Sequence, residues 1–440
     1  MFKKISKNII SSWLLQMIGY VIPLLMLPYL IRIVGSDKYG MLNFSQSVIQ
    51  YFIILVAFGF DLSIISKVSI ARNDAQKLEN IFLKTIYSRL LLLSISTFLF
   101  VIVAFFLKNK VNYVLLYSTF LIVLGNALTP NWFFQGLEKF RFILLINLSS
   151  KILLGLLVFT LVSTPQDYWK FNLSLSLTQC ITGLIMIYVV FKQYDIRIKS
   201  IPFSDLILHI KDNFHFFYGS FLIAFYVNTN IIILGYLIDF KELGYFLAAY
   251  KLINIFFSTA IIPISQALFP ALAFSLKSNL EETIYVFKNI IVPSLFYFII
   301  FCCGVIYFIS DNLILLLFGD LFIKSGLLLK IMIFSTLGIS LNNIILSPLM
   351  VTLGLKKEYS KVLLIAAIFS IIITTIISFF WGSIGASISW MLTELFIPAY
   401  SIFKLNKINL KIISFKAFAP IQLINLIKEY IYQNKVRRVI

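Results

Sequence analysis

Charged side chains are scarce in this sequence. They make up 12% of its 440 residues, whereas hydrophobic residues make up 60%. A soluble domain carries roughly 25% charged residues, so this chain has too little polar surface to be an ordinary water-soluble protein. Many of its apolar runs exceed the roughly 20 residues that a helix needs to cross the hydrocarbon core of a bilayer. The composition therefore predicts an all-α integral membrane protein.

Cysteine and histidine are also rare. Cys180, Cys302 and Cys303 all lie inside apolar runs, which favours buried thiols over a disulfide framework or a metal site. His209 and His215 lie near a predicted helix start, where an interfacial role is the simpler interpretation. We therefore expect neither a metal nor a cofactor.

The motifs that usually mark catalysis are missing as well. The sequence contains no G-x-x-x-x-G-K-[ST] nucleotide loop and no cluster of histidines and carboxylates. Its predicted external loops are short, whereas membrane glycosyltransferases and polymerases usually display a large external loop or a cluster of acids at the interface. These absences argue against an enzyme.

What the sequence does contain is a succession of apolar runs that predicts twelve transmembrane helices. The first run is too long for a signal-peptide core, so it is interpreted as a retained span. The stretch 311–324 is ambiguous, because it could extend the ninth helix, begin the tenth or lie at the interface. The predicted spans are 9–34, 41–66, 85–107, 114–134, 143–162, 171–191, 214–238, 243–274, 289–310, 325–353, 362–380 and 384–403.

Lysine and arginine are concentrated in every second loop, and cytoplasmic loops carry an excess of these residues. This rule places both termini in the cytoplasm. The net charge of +19 is then mainly a topology signal, with an attraction to anionic lipid heads. Nucleic-acid binding is not expected, since the cations are spread over separate short loops. The cation-rich segments are 1–8, 67–84, 135–142, 192–213, 275–288, 354–361 and 404–440.

Weak internal repeats divide the chain into two halves. Gly40 aligns with Gly244, and "PNWFFQGLEK" echoes "PLMVTLGLKK" at a similar offset. The repeats predict two pseudo-symmetric six-helix bundles, 1–205 and 206–403, around a central cavity, as in transporters that rock around a central site. The tail 404–440 is basic, and its isoleucines predict an amphipathic helix on the inner membrane surface. They are Ile424, Ile427 and Ile431.

Several stretches resemble one known family. "PLLMLPYLIRIVGSDKYG", "YFIILVAFGFDLS", "NWFFQGLEKFR" and "FSTAIIPISQALFPALA" are similar to the polysaccharide-export flippases often called Wzx. These belong to a superfamily that also contains peptidoglycan lipid flippases and multidrug and toxin extrusion transporters. The resemblance covers roughly residues 1 to 403. It implies two six-helix bundles, a central cationic cavity and alternating access. The implied cargo is an oligosaccharide repeat unit on a polyprenyl pyrophosphate.

Ionisable residues inside the predicted spans are the candidate functional residues, because each deeply placed Lys or Arg costs roughly 2.5–3.5 kcal/mol on insertion. Cations outnumber acids there, which favours an anionic ligand, and Lys and Arg donate charge-assisted hydrogen bonds to pyrophosphate oxygens. The candidate substrate-binding residues are Arg32, Lys151, Lys251, Lys330, Asn228 and Asn254, and the candidate ion-coupling residues are Asp61 and Glu394.

Some of these charges have simpler interpretations. Arg89 lies near the cytoplasmic end of its span and is expected to snorkel, and Arg32 either snorkels or meets the phosphate head at the outer mouth. Asp61 is either a water-exposed helix end or a coupling site. Glu394 either pairs with a lysine or carries a proton.

The leading hypothesis is a flippase in the bacterial inner membrane that moves a polyprenyl-pyrophosphate-linked oligosaccharide. Its expected partners are this cargo and membrane lipids, with a polysaccharide polymerase as a further candidate. A cation-coupled multidrug antiporter of the same superfamily is the first alternative, although it needs more intramembrane carboxylates. A membrane glycosyltransferase or polymerase is the second.

Overall fold

The computed structural model describes residues 2–265, 268, 280–410, 412–426 and 428. These residues are helical almost throughout and contain no β-strand, which confirms the predicted all-α class. A helix pairs its backbone groups internally, and lipid cannot pair them, so helices are the form expected for apolar segments of this length.

The chain forms two compact units, Met1–Gly235 with Asp239–Gly244, and Tyr236–Ile238 with Tyr245–Ile440. The predicted division between residues 205 and 206 follows the repeats in the sequence and stays a prediction. The first unit contains α1 (Phe2–Ala57), α2 (Phe60–Ala71), α3 (Ala75–Leu107), α4 (Tyr113–Leu128), α5 (Asn131–Gly136), α6 (Phe140–Leu161), α7 (Tyr168–Tyr194), α8 (Phe203–Asp212), α9 (Phe214–Leu237) and the start of α10 (Phe240–Phe256).

In the second unit, α-helices alternate with short π-helical turns. The π-turns are π1 (Phe257–Ile261), π2 (Phe287–Ile291) and π3 (Asn342–Leu346). The α-helices that follow α10 are α11 (Leu280–Val286), α12 (Val292–Phe318), α13 (Lys324–Met332), α14 (Ser335–Leu341), α15 (Ser347–Thr352) and α16 (Lys356–Lys407).

Nine helical segments among the described residues are long and apolar enough to cross a membrane, so the chain is a multi-pass membrane protein. The count of twelve spans stays a prediction. The nine segments are Leu25–Ala71, Ala75–Leu107, Tyr113–Gly136, Phe140–Leu161, Pro165–Tyr194, Phe240–Ser265, Glu281–Phe318, Lys324–Thr352 and Lys357–Lys407.

Two of these segments, of 47 and 51 residues, are much longer than one crossing requires. Each is interrupted at a glycine with non-helical dihedral angles, Gly35 (φ 72°, ψ 174°) and Gly382 (φ 56°, ψ −132°). Glycine adopts positive φ without a steric penalty. Each break falls between two predicted spans, where the chain was expected to turn.

The three π-turns share one cause. In each, the residue before a proline donates its N–H to the carbonyl five residues back: Ile262 to Phe257, Val292 to Phe287 and Ser347 to Asn342. The prolines that follow are Pro263, Pro293 and Pro348. Proline has no N–H, and its ring clashes with the carbonyl four residues earlier in an α-helix. The wider π-turn accommodates that ring while the helix continues.

The structure describes all of 311–324 and part of the tail after residue 403, two segments whose conformation the sequence alone does not decide. α12 continues through residue 311 and ends at Phe318, so most of 311–324 extends the ninth predicted helix. In the tail, the Phe418 ring packs edge-on against Phe296 at 5.1 Å between centroids. Ile427 and Ile431, and the "FPALA" motif at 269–273, lie outside the described residues, so the amphipathic tail helix stays a prediction.

Candidate functional site

The first unit contains a sharp break at the end of the second predicted span. Phe58 (φ 44°) and Gly59 (φ 72°) both adopt left-handed conformations between α1 and α2. A Cβ atom on Gly59 would lie 2.5 Å from Cβ of Phe216 and 2.7 Å from N of Phe217 on α9. Only glycine fits this close approach. The break starts a new helix and places Asp61 in the first turn of α2.

Arg89 on α3 lies beside this break and is fully buried. Its guanidinium donates to Asp61 Oδ1 at 2.5 Å, and to the backbone carbonyls of Asn126 and Thr129 at 3.2 and 3.1 Å. Those carbonyls stand at the C-terminal end of α4, where intrahelical donors run out and the helix dipole favours a cation. One side chain thereby fastens α2, α3 and α4 together.

The expectation that Arg89 snorkels is therefore wrong, because its charge is satisfied inside the protein rather than at the membrane surface. Asp61 keeps 44% of its side chain exposed although it pairs with Arg89. Its proposed role in ion coupling stays a prediction, and the ion pair gives it a structural role in addition.

A second polar cluster lies between α1, α4 and α7. Gln46 donates from Nε2 to Asn172 Oδ1 at 2.7 Å, and Asn172, which is fully buried, donates from Nδ2 to Thr119 Oγ1 at 2.8 Å. Buried amides need such partners, because an unpaired polar group in an apolar setting is costly. Hydrogen bonds between helices are common stabilising contacts in membrane bundles, and this cluster contains two of them.

The predicted phosphate ligands of the first unit lie on two neighbouring helices. Arg32 is an exposed residue of α1, three residues before the Gly35 break, and Lys151 is a partly buried residue of α6. α1 and α6 are joined near one end, where Tyr29 Oη donates to the carbonyl of Val162 at 3.0 Å. The roles of Arg32 and Lys151 in substrate binding stay predictions.

Asn228 on α9 is partly buried and donates from Nδ2 to the carbonyl of Ala224, one turn earlier, at 3.1 Å. Its neighbour Thr229 shares a hydrogen bond of 2.5 Å with the hydroxyl of Tyr51 on α1. The amide group of Asn228 is thus held by its own helix, and its place on a sugar path stays a prediction.

In the second unit, Lys330 has a partner that the sequence analysis did not foresee. Its amine lies 2.5 Å from Asp311 Oδ2 on α12 and 5.9 Å from the centre of the Tyr307 ring. The sequence analysis left Asp311 in an ambiguous stretch, but it belongs to a helical segment that is long and apolar enough to cross a membrane. Lys330 stays a predicted ligand, with a charge that is already balanced.

Lys251 and Asn254 lie on α10. Lys251 is exposed and forms no ion pair with any described residue, and Asn254 donates to the carbonyl of Tyr250 at 3.0 Å. The Tyr250 ring packs edge-on against Trp390 of α16, at 4.8 Å between centroids. Glu394 lies one turn beyond Trp390 and is 8% exposed. Glu394 and Lys251 are therefore on helices that meet, while their functional roles stay predictions.

His209 lies on α8, and among the described residues no group of three or more His, Cys, Asp or Glu side chains could hold a metal ion. Its ring stacks on Phe60 at 5.1 Å between centroids, and its Nε2 lies 3.3 Å from Thr85 Oγ1. Burial, with help from the charges of Lys67 and Lys84, lowers the pKa of His209 to about 4.

Residues 5–275 match the family described as polysaccharide biosynthesis protein. The chain belongs to this family. It is also similar to two proteins named "Putative O-antigen transporter", from Escherichia coli (strain K12) and Shigella dysenteriae. The first is 28% identical over 88% of this chain and 93% of the relative. The second is 27% identical over 90% and 98%.

Two solved structures establish the fold of this polysaccharide biosynthesis family member. The lipid II flippase MurJ in an inward closed conformation matches with a TM-score of 0.71 and 14% identity, over 97% of this chain and 93% of that one. An inward-facing multidrug resistance MATE family transporter of the MOP superfamily matches with a TM-score of 0.68 and 15% identity, over 90% and 98%. These two similarities show the fold of the chain, and the family match confirms the predicted polysaccharide-export family.

Proposed function

We propose that this protein is a flippase that moves an oligosaccharide repeat unit, linked to polyprenyl pyrophosphate, from the cytoplasmic to the outer leaflet of the bacterial inner membrane by alternating access. The observation that carries the proposal is the similarity, over nearly nine-tenths of the chain, to proteins named as O-antigen transporters. The flippase fold of the MurJ structure supports it.

The polar head of the proposed cargo must cross the apolar interior of the membrane. A pyrophosphate and several sugars are costly to bring into hydrocarbon unless polar groups replace their water. Arg89 and Lys330 each already pair with an acid. The proposed ligands of the phosphate head are Arg32, Lys151, Lys251 and Lys330, and those of the sugars are Asn228 and Asn254.

A multidrug antiporter has less support. It needs several intramembrane carboxylates that can hold a coupling cation and tolerate a cationic drug, whereas the predicted candidates are Asp61, which is paired with Arg89, and Glu394. The relatives are named as transporters, and we propose that this chain likewise moves its cargo without changing it chemically. A polysaccharide polymerase stays a predicted partner.

The direct test is deletion of the gene, followed by labelling of lipid-linked repeat units with a reagent that does not cross the membrane. We expect these units to accumulate where the reagent cannot reach them and surface polysaccharide to be lost. The wild-type gene on a plasmid should restore both. Units that still reach the outer leaflet in the deletion strain would contradict the proposed function.

Single substitutions then test the phosphate ligands. We expect Lys251→Gln to lower export about tenfold, because the loss of one charge-assisted hydrogen bond costs roughly 1.5–3 kcal/mol. Lys108→Gln is the matched control, since it removes the same charge from the short connection that follows α3. Equal export by Lys251→Gln and the wild type, at equal protein levels, would remove Lys251 from the site.

A further inference from the structure

A pocket of about 360 Å³ lies in the first unit where α2 ends and α3 begins. Its lining combines polar and apolar side chains from both helices. They are Lys67, Ile70, Ala71, Asp74, Lys77, Asn80 and Ile81. The volume is within the roughly 300–1,000 Å³ typical of small-molecule sites. The positive-inside rule places this end of the unit at the cytoplasmic surface.

The polar groups of the pocket are of two kinds. Asp74 caps α3 by accepting from the backbone N–H of Lys77 at 3.1 Å, and its carboxylate lies 3.0 Å from the Lys77 amine. These contacts hold the pKa of Asp74 below its usual range, so it stays ionised. Lys67 and Asn80 are exposed and form no side-chain hydrogen bond or ion pair with the described part of the chain. Their donors are thus available to a ligand.

The apolar groups lead from the pocket toward lipid. Ile70, which is 87% exposed, lines the pocket on α2. Leu62, 65% exposed, lies two turns earlier along the same stripe of that helix. An anionic head bound by Lys67 could therefore keep its hydrocarbon chain along Leu62 and Ile70. A water-soluble anion would gain nothing from this stripe.

We infer that this pocket binds the phosphate headgroup of a lipid in the cytoplasmic leaflet. Lys67 supplies the charge that no described acid balances, Asn80 supplies amide donors, and the α2 stripe receives the hydrocarbon chain. A divalent cation is a poor fit, because the lining contains a single carboxylate, which is already paired. The binding is independent of the cargo proposed above, since a phospholipid and a polyprenyl phosphate share the same head chemistry.

The test is native mass spectrometry of the full-length protein released from detergent micelles. The protein is mixed with phosphatidylglycerol, with polyprenyl diphosphate that carries no sugar, or with inorganic pyrophosphate. Lys67→Gln is compared with Lys139→Gln, which removes the same charge from another exposed residue, at the start of α6. Lys67→Arg keeps the charge, and circular dichroism checks that each variant is folded.

We expect Lys67→Gln to reduce the retained lipid about fivefold, because each Lys or Arg near the surface contributes roughly 1 kcal/mol to binding anionic lipid. Lys139→Gln and Lys67→Arg should retain it as the wild type does. Retention of phosphatidylglycerol identifies a bulk lipid site, and selective retention of polyprenyl diphosphate identifies a carrier site. Equal losses in the two Gln variants, or pyrophosphate bound as tightly as either lipid, would overturn the inference.

Discussion

The two units of this protein hold their helices together in different ways. The described part of the first unit is fastened by polar contacts between distant helices, with Arg89 bound to Asp61 and to the end of α4. In the second unit, three crossing segments each contain a π-turn before a proline. The second unit also has polar contacts between helices, such as Lys330 with Asp311, but it combines them with irregular turns inside the helices themselves.

This difference has a physical consequence for a transporter. A buried ion pair resists separation, because parting it leaves an uncompensated charge in a low-dielectric interior. A π-turn keeps the helix continuous but weakens its hydrogen-bond ladder at one place, where bending costs less. We therefore expect conformational change within the second unit to concentrate at π1, π2 and π3, and the α2–α3–α4 group to move as one body.

The largest difference between the units is expected when one cation is removed from each. Arg89→Gln should destabilise the protein by about 1–3 kcal/mol, because Asp61 and two helix-end carbonyls lose the donors of a buried guanidinium. Lys330→Gln should cost less than about 1 kcal/mol, since both members of its pair are partly exposed. The measurement is chemical unfolding in detergent, followed by intrinsic fluorescence.

Asp61→Asn removes the negative charge of the Arg89–Asp61 pair and keeps the size of the side chain. Asn at position 61 still accepts a hydrogen bond, but it leaves the fully buried Arg89 without its counter-ion. We therefore expect a loss of stability comparable to that of Arg89→Gln. If Arg89→Gln and Lys330→Gln lower stability equally, the first unit is not fastened in the manner described here.

The sequence predicted the helices well, because each span is set by the hydropathy of its own residues. The predicted span 85–107 lies within α3, and 171–191 lies within α7. The partners of the charged residues could not be predicted in this way. Arg89 meets a carbonyl 40 positions away, and Lys330 meets Asp311 at a separation of 19. Helical periodicity shows which face is apolar, but not which face of another helix it meets.

Local breaks were predictable in part. Pro130 precedes α5, and three further prolines follow the π-turns. A proline inside an apolar run indicates a local irregularity of the helix, so these breaks could be predicted from the sequence. Gly59 was a weaker signal, although a glycine two residues before an acid inside an apolar run is unusual. That both Phe58 and Gly59 adopt positive φ depends on the packing of α9 against this turn, which no local pattern contains.

A smaller effect is expected where a proline before a π-turn is replaced. Pro293→Ala restores an N–H that can donate to the carbonyl four residues back, so π2 can tighten toward an α-helix. Amide exchange across Phe287–Ile291 should slow about fivefold, the equivalent of one added hydrogen bond of roughly 1 kcal/mol. Hydrogen exchange with mass spectrometry makes the measurement.

Pro398 provides the matched control for this experiment, because it lies inside α16, where no π-turn accompanies it. Pro398→Ala should leave exchange across π2 unchanged. If Pro293→Ala also leaves it unchanged, the π-turn is fixed by packing of the second unit rather than by proline, and the contrast between the units is weaker than proposed.

The smallest expected effect concerns His209, which connects α8 to α2 and α3 through Phe60 and Thr85. The Thr85 hydroxyl donates its only proton to the carbonyl of Ile81, at 2.7 Å. Its oxygen therefore accepts a hydrogen bond from Nε2–H of a neutral His209. A second proton on this ring is disfavoured by burial and by Lys67 and Lys84, which outweigh the opposite effect of Asp212. Protonation therefore favours the unfolded chain.

The sign of the pH dependence follows from the two pKa values of His209, about 4 in the folded protein and roughly 6.5 in the unfolded chain. Above pH 6.5 the ring is neutral in both states, and its contribution to stability is complete. As the pH falls from 6.5 toward 4, the unfolded chain takes up the proton first, and stability declines by less than about 1 kcal/mol for this partly exposed group.

His209→Asn should remove this part of the decline in unfolding midpoint, whereas His215→Asn, at an exposed histidine, should keep it. An identical decline in all three proteins would show that other groups control the acid sensitivity of the first unit.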